Sequence, residues 1–260
     1  MEGSYPRISG CARRLIDLRR HDVRTVVGWL EDDFHHFGVT IVHEKGLIVD
    51  VRTAAVRFPF STCPGAADPL RKLIGASVVA RASDVGTLIE MRLQCTHMFD
   101  LAGLALAHVV AGREHRRYEA TVTDRPIIAW EENRRRLLGV GRAKLYCDDV
   151  LVLAWDIDRR EITGPNEWAG QSLERSFRER TETMEVELAE YATVLRRAIM
   201  VATGRTLDPD LYANAGMRGR SGSCHTFQEE RRNTAQRMFG STLNYEKSSV
   251  GMLAHVNEVP

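Results

Sequence analysis

The residues best equipped for chemistry in this chain are two short cysteine–histidine elements. Cys95-Thr96-His97 lies within the stretch Arg92-Leu93-Gln94-Cys95-Thr96-His97-Met98, and Cys224-His225 lies within Ser221-Gly222-Ser223-Cys224-His225-Thr226-Phe227. Thiolate and imidazole bind zinc and other borderline metals, and cysteine is also a nucleophile. Each element precedes an apolar stretch that reads as a helix, and the free N–H groups of a helix N-terminus favour the thiolate. The first element gains a companion in Cys63, which stands before Leu70, Leu73 and Ile74 at helical i, i+3, i+4 spacing. A third component is the run Asp32-Asp33-Phe34-His35-His36, two carboxylates and two imidazoles in the turn before the strand that begins near Gly38.

These groups give the expected site. Cys63, Cys95 and His36 or Asp33 surround a divalent metal, zinc or iron. His97 stands behind them as a second-layer partner or general acid/base, and His225 is a further catalytic candidate on a lid or second wall formed by Cys224-His225. Alternation of side chains lets only one of His35 and His36 face a given side, and His36 is taken. Blander readings stay open beside this one. A cysteine is often a small buried apolar residue, the Asp–His run can be a solvated turn, and Ser221 or Ser223 can make Cys224-His225 a local helix cap. A metal-free enzyme with Cys95 as nucleophile and His97 as its base is also open, although residues two apart on a helix diverge.

Composition bounds the function classes. The chain has 260 residues, 43% hydrophobic and 27% charged, as in ordinary globular proteins. A net charge of +1 argues against a general attraction to nucleic acid. Arg134-Arg135-Arg136 reads as a solvated surface, because no aromatic residues interleave with it. The polar stretch from Met1 to Arg7 has no apolar core of a signal peptide behind it, and no run approaches the roughly 20 apolar residues of a membrane helix. Five widely spaced cysteines, an odd number, suggest reduced thiols. The expectation is a cytoplasmic protein acting on a small-molecule substrate, with no nucleic-acid or membrane partner and with a homo-oligomer left open. P-loop, dinucleotide-binding, zinc-protease and Ser-hydrolase motifs are missing, and Leu138-Gly139-Val140-Gly141-Arg142 is a lone Gly-x-Gly. No nucleotide cofactor is expected.

The elements that must position these residues read as α+β, β-meander sheets with helices packed on one side. Strands are expected at residues 12–18, 25–30, 38–43 and 47–52, the last two joined by Glu44-Lys45-Gly46 as a hairpin. Helices are expected at 66–75, 96–111, 174–203 and 226–239. A second β block covers 118–123, 137–146 and 149–157, and 204–222 reads as a surface loop. Two parts follow: residues 1–113, carrying Cys63, Cys95 and His97, and residues 114–260, packed as one unit with the first.

The layout Phe58-Pro59, Cys63-Pro64, Leu73-Ile74-Gly75 and Cys95-Thr96-His97-Met98 resembles a bacterial family catalogued as domain of unknown function 2889. Members of that family carry a Gly-Cys-Thr-His-Leu segment, in which Gln94 and Met98 replace the Gly and Leu here. The resemblance covers most of residues 11–111 and supports Cys63, Cys95 and His97 as site residues without naming a reaction. More distantly, the order Asp33/His36, Ile48-Val49-Asp50-Val51, Cys63 and Arg92-Leu93-Gln94-Cys95 is similar to the U-type iron–sulfur scaffold fold. That fold's early Cys-Gly-Asp is replaced here by Asp-Phe-His-His. Taken together, the expected function is a metal- or thiolate-dependent lyase or hydrolase in bacterial catabolic or secondary metabolism. The alternative is a non-enzymatic scaffold handling iron–sulfur or sulfur chemistry.

Overall fold

The computed structural model describes residues 5–7, 9–131, 135–218 and 222–260. Arg134, Ser221 and the first four residues, named above, lie outside the described residues. The chain forms two compact units that interleave along the sequence. One comprises Leu15–Arg117, Asp210–Leu243 and Val250–Pro260, and the other Met1–Arg14, Tyr118–Pro209 and Asn244–Ser249. The chain thus passes from one unit to the other after residues 14, 117, 209, 243 and 249.

The unit that begins at Leu15 holds a meander of β1 (Cys11–Asp22), β2 (Thr25–Asp32), β3 (His36–Glu44) and β4 (Leu47–Arg57), adjacent in that order. The β3–β4 hairpin turns at Lys45-Gly46, with Glu44 opposite Leu47. Strand β2 is buried along its whole length, because both of its faces are covered. Successive side chains alternate between faces. Leu101 packs against Gly28 on one face. On the other, the Trp29 indole N–H donates to the Glu258 carbonyl at 3.0 Å, and the Pro260 ring closes over Gly38. The helix lies against one face and the segment 250–260 against the other.

After β4 come three-residue and four-residue helical turns, including α1 (Ala67–Leu70) and α2 (Val85–Leu88), where a continuous helix over 66–75 was expected. Pro64 and Pro69 explain the break, since each removes a backbone donor. Helix α3 (Thr96–Ala111) has the bounds read from its apolar face, with Cys95 as its N-cap and Gly112 left-handed after it (φ 62°). It packs on β2 and β3. A Cβ on Gly103 would lie 2.3 Å from the backbone oxygen of Ala82 and 3.0 Å from Val85 Cγ1. Alanine normally stabilises a helix interior by up to about 1 kcal/mol over glycine. Here overpacking wins, and Gly103→Ala is expected to cost about 1–3 kcal/mol in urea unfolding. A neutral or stabilised variant would show that the Ala82 segment yields easily.

The helix expected over 226–239 does not form. The chain makes one 3₁₀ turn, His225–Phe227, followed by irregular turns. The run from Gln228 to Asn233 is polar and offers no apolar stripe to bury. Arg237 organises this stretch instead, donating to Asp210 Oδ1 at 2.7 Å and to the Pro59 carbonyl at 2.8 Å.

The other unit carries β5 (His115–Thr123), whose first three residues belong to the unit above. There follow β6 (Ile127–Trp130), β7 (Arg136–Leu138), β8 (Gly141–Cys147), β9 (Val150–Asp158) and β10 (Glu161–Gly164). The antiparallel order is β10-β9-β8-β5, with β6-β7 as a separate hairpin. Helices α4 (Phe177–Glu182) and α5 (Val186–Ala202) replace the single helix read over 174–203. Helix α5 packs on β8 and β9, and Trp155, Trp168 and Phe177 stack beside it with ring centroids 4.8–6.3 Å apart. Among the described residues each unit thus combines β-sheet with helices and the fold is α+β, as the hydrophobic patterns predict. Among the described residues no helix is long and apolar enough to cross a membrane.

Candidate metal centre

The turn between β2 and β3 is closed by its own backbone and by Asp32. The Asp32 N–H donates to the His35 carbonyl at 2.9 Å. Asp32 Oδ1 accepts the backbone N–H groups of Phe34 and His35 at 2.9 and 3.0 Å and lies 2.9 Å from His35 Nδ1. That side-chain turn is typical of aspartate. It aims the His35 ring across the face on which Gly28 meets α3. There His35 stacks on His97 with ring centroids 3.7 Å apart, and Phe37 flanks both rings. One donor atom each from Asp32, His35 and His97 lies within 4.8 Å of the other two, the only such His/Cys/Asp/Glu group among the described residues.

The sequence-derived candidates distribute differently. His97 is in this group, but Asp33 and His36 are not. His36 opens β3 directly opposite Glu31 and so shares the other face of the sheet. Its Nδ1 is 3.4 Å from Glu31 Oε2, and its ring packs against Trp29 and His255. Burial, followed by the attraction of Glu31 in the opposite sense, leaves the His36 imidazole below its usual range. Asp33 is buried, and its carbonyl accepts from the Arg57 guanidinium and from the Leu243 N–H, both at 2.8 Å.

Three of the cysteines, Cys63, Cys95 and Cys224, lie near one another. Cys95 Sγ lies 3.8 Å from His97 Nδ1. Cys63 Sγ lies 3.4 Å from Thr226 Oγ1. The second cysteine–histidine element does return to the first: the His225 N–H donates to the Gln94 carbonyl at 2.8 Å, and His225 Nδ1 lies 3.3 Å from the Leu93 carbonyl. Cys224 is thereby close enough to raise the pKa of both Cys63 and Cys95. The expected activation of these thiols is reversed. Burial pushes Cys63 up to about 11, only partly opposed by Thr226, and burial raises Cys95 further still. The N-terminal field of α3 does not offset the loss of water around Cys95, and Cys63 sits on a four-residue 3₁₀ turn with little dipole to offer. Burial also lowers His225.

Sequence reasoning passed over Asp32 and His35. Their signal was the Asp-x-x-His spacing, which lets the carboxylate close the turn and reach the ring it presents.

Residues 13–111 match the model of the family DUF2889, described as a protein of unknown function. Over this stretch the chain is similar to that family. No curated protein and no solved structure matches the chain, so the likeness to the iron–sulfur scaffold fold gains no support. The DUF2889 stretch contains Asp32, His35 and His97, together with Cys63 and Cys95. Cys224-His225 lies outside it.

Proposed function

We propose that Asp32, His35 and His97 hold a divalent metal, zinc or iron, and that the centre serves a lyase or hydrolase reaction on a small molecule. The observation that carries this reading is the mutual approach of the three donors within 4.8 Å. Donors on one first-row ion stand roughly 3–4 Å apart, given bond lengths near 2.0–2.2 Å, so a small closure suffices. Two imidazoles and one carboxylate suit zinc and ferrous iron and leave positions open for substrate or water. A metal so held polarises a substrate oxygen and acidifies a bound water. Cys95, protonated beside His97, is a neutral neighbour in this scheme rather than the nucleophile. Five free cysteines fit a reducing, cytoplasmic setting.

Metal analysis and zinc titration test the proposal. Wild-type protein is expected to bind about one equivalent, and His97→Ala and His35→Ala to lose affinity by about 100-fold or more, beyond the effect typical of outer-layer changes. Cys95→Ala should retain binding. Wild-type protein without tight metal, or His97→Ala binding as wild type does, would remove the proposal. The gathering of Cys63, Cys95 and Cys224 favours a second reading, sulfur or iron–sulfur handling without catalysis. Cluster-type absorption after anaerobic reconstitution, lost in Cys63→Ala, would support that reading; colourless zinc protein would support the first.

A further inference from the structure

Two of the three proposed ligands sit on one turn, and the turn is gripped from outside by a single side chain. Arg57 ends β4, opposite His36 in the β3–β4 register. Its guanidinium is 13% exposed. Nη2 donates to the Asp32 carbonyl at 2.6 Å, to Glu31 Oε1 at 3.0 Å and to the His35 carbonyl at 3.4 Å. Nη1 donates to the carbonyls of Asp33 and Ser241 at 2.8 and 3.1 Å. One cation therefore binds three of the four carbonyls between Asp32 and His35. The His35 carbonyl also accepts the Asp32 N–H and the Asp33 carbonyl the Leu243 N–H, so the guanidinium adds its donors to backbone bonds that already close the turn. Glu31, the counter-charge in this clamp, is itself anchored by the Leu253 N–H at 2.5 Å.

From this we infer that Arg57 is a positioning residue for the metal centre: it fixes the turn so that the Asp32 carboxylate and the His35 ring are presented together to His97. The inference rests on the metal reading above. The planar fork of arginine is suited to the task, because its donors hold fixed directions that a lysine ammonium does not. Ordering the turn before the metal arrives removes an entropic cost from binding. The sign of the effect separates positioning from simple charge. A nearby cation repels a metal ion, so removing Arg57 would tighten binding if charge alone mattered. Positioning requires the opposite.

The test is titration of wild type, Arg57→Met and Arg57→Lys with cobalt(II), read by its visible d–d absorption, which reports ligand geometry as well as affinity. Arg57→Met is expected to bind about 10–100-fold more weakly with an altered band shape. Arg57→Lys is expected to weaken binding by a smaller factor. An Arg57→Met protein with wild-type circular dichroism that binds cobalt as tightly as wild type, or more tightly, with the same spectrum would overturn the inference. If Arg57→Met does not fold, Arg57→Lys decides: wild-type affinity and spectrum in that variant overturn it. Failure of the metal reading shows separately, as wild-type protein that binds no cobalt, and would take this inference with it. Failure of the Arg57 role alone leaves wild-type binding intact and His97→Ala impaired.

Discussion

Arg205→Leu is expected to destabilise the unit built on β5, β8, β9 and β10 by about 3–5 kcal/mol, the range for breaking a buried ion pair by removing one partner. Arg205 is 1% exposed and Asp124 2%. The two meet in a bidentate pair, Nε to Oδ1 at 2.6 Å and Nη2 to Oδ2 at 3.0 Å. Asn244 takes a third donor at 3.1 Å, and Glu246 lies 3.5 Å away. The carboxylate also accepts the Gly10 N–H at 3.0 Å, and the Arg205 carbonyl accepts from Arg7. This pair therefore ties three distant segments of one unit together. Leucine would leave the Asp124 carboxylate buried without its counter-charge. The double variant Arg205→Leu/Asp124→Leu should lose less than the single one, because no charge is then stranded. Urea unfolding measures both. A single variant within about 1 kcal/mol of wild type would show that water reaches Asp124 once the arginine is gone.

The second large effect is a loss of stability in acid. His108 lies in the last turn of α3 and is 1% exposed, and neither ring nitrogen has a hydrogen-bond partner among the described residues. Burial, with Arg113 and Arg116 adding to it, pulls its pKa down from 6.5 to about 4. A helix C-terminus ordinarily favours a cationic histidine, but desolvation outweighs that here. The folded pKa lies below the unfolded one, so between these values the unfolded chain binds a proton that the folded chain refuses. Stability is complete above pH 6.5 and falls as the pH drops toward 4. A tenfold difference in proton affinity between folded and unfolded chain is worth about 1.4 kcal/mol, so the loss between pH 7 and 4.5 is about 2–3 kcal/mol. His36 and His225, also lowered by burial, act in the same direction. His108→Leu removes the largest of these titrations. Its stability should fall less over that interval by about 2–3 kcal/mol, and parallel wild-type and variant curves would refute the assignment.

Much of the scaffold was legible in the sequence, because it rests on local signals. Alternation set the strands from Ala12 to Arg52, Lys45-Gly46 set the hairpin, and the apolar face of 96–111 with Gly112 set both ends of α3. Helix 226–239 was misread because helix-forming residue types there lack an apolar stripe, and Arg237 with its long-range carbonyl and carboxylate partners organises the backbone instead. The site was legible as a neighbourhood and not as a ligand set. The run Asp32–His36 was recognisable, and so was the rule that only one histidine can face the helix. Which one it is depends on which face of β2 the helix covers. Leu101 against Gly28 places α3 on the even-numbered side. Asp32 therefore faces it while Glu31 and His36 point away, and no local pattern carries that information. The thiols were misjudged for a similar reason: helix position can be read from sequence, but how completely a sulfur is dehydrated depends on segments such as Thr226 that arrive from far along the chain.

The clamp on the turn has a kinetic corollary. Asp32, His35, His97 and Arg57 all lie before residue 111, but Ser241, whose carbonyl completes the clamp, is 184 residues from Arg57 in sequence. Leu243, Leu253 and His225 are similarly remote from the residues they hold. Contacts of such separation close only after the entropy of a very long loop has been given up, and chains dominated by them fold slowly. The donors should therefore be made early and the geometry acquired late. In refolding, metal affinity should appear after most of the sheet signal, in step with the docking of 210–243. A fragment cut to the DUF2889 stretch would possess every proposed ligand and still lack the braces that hold them in register.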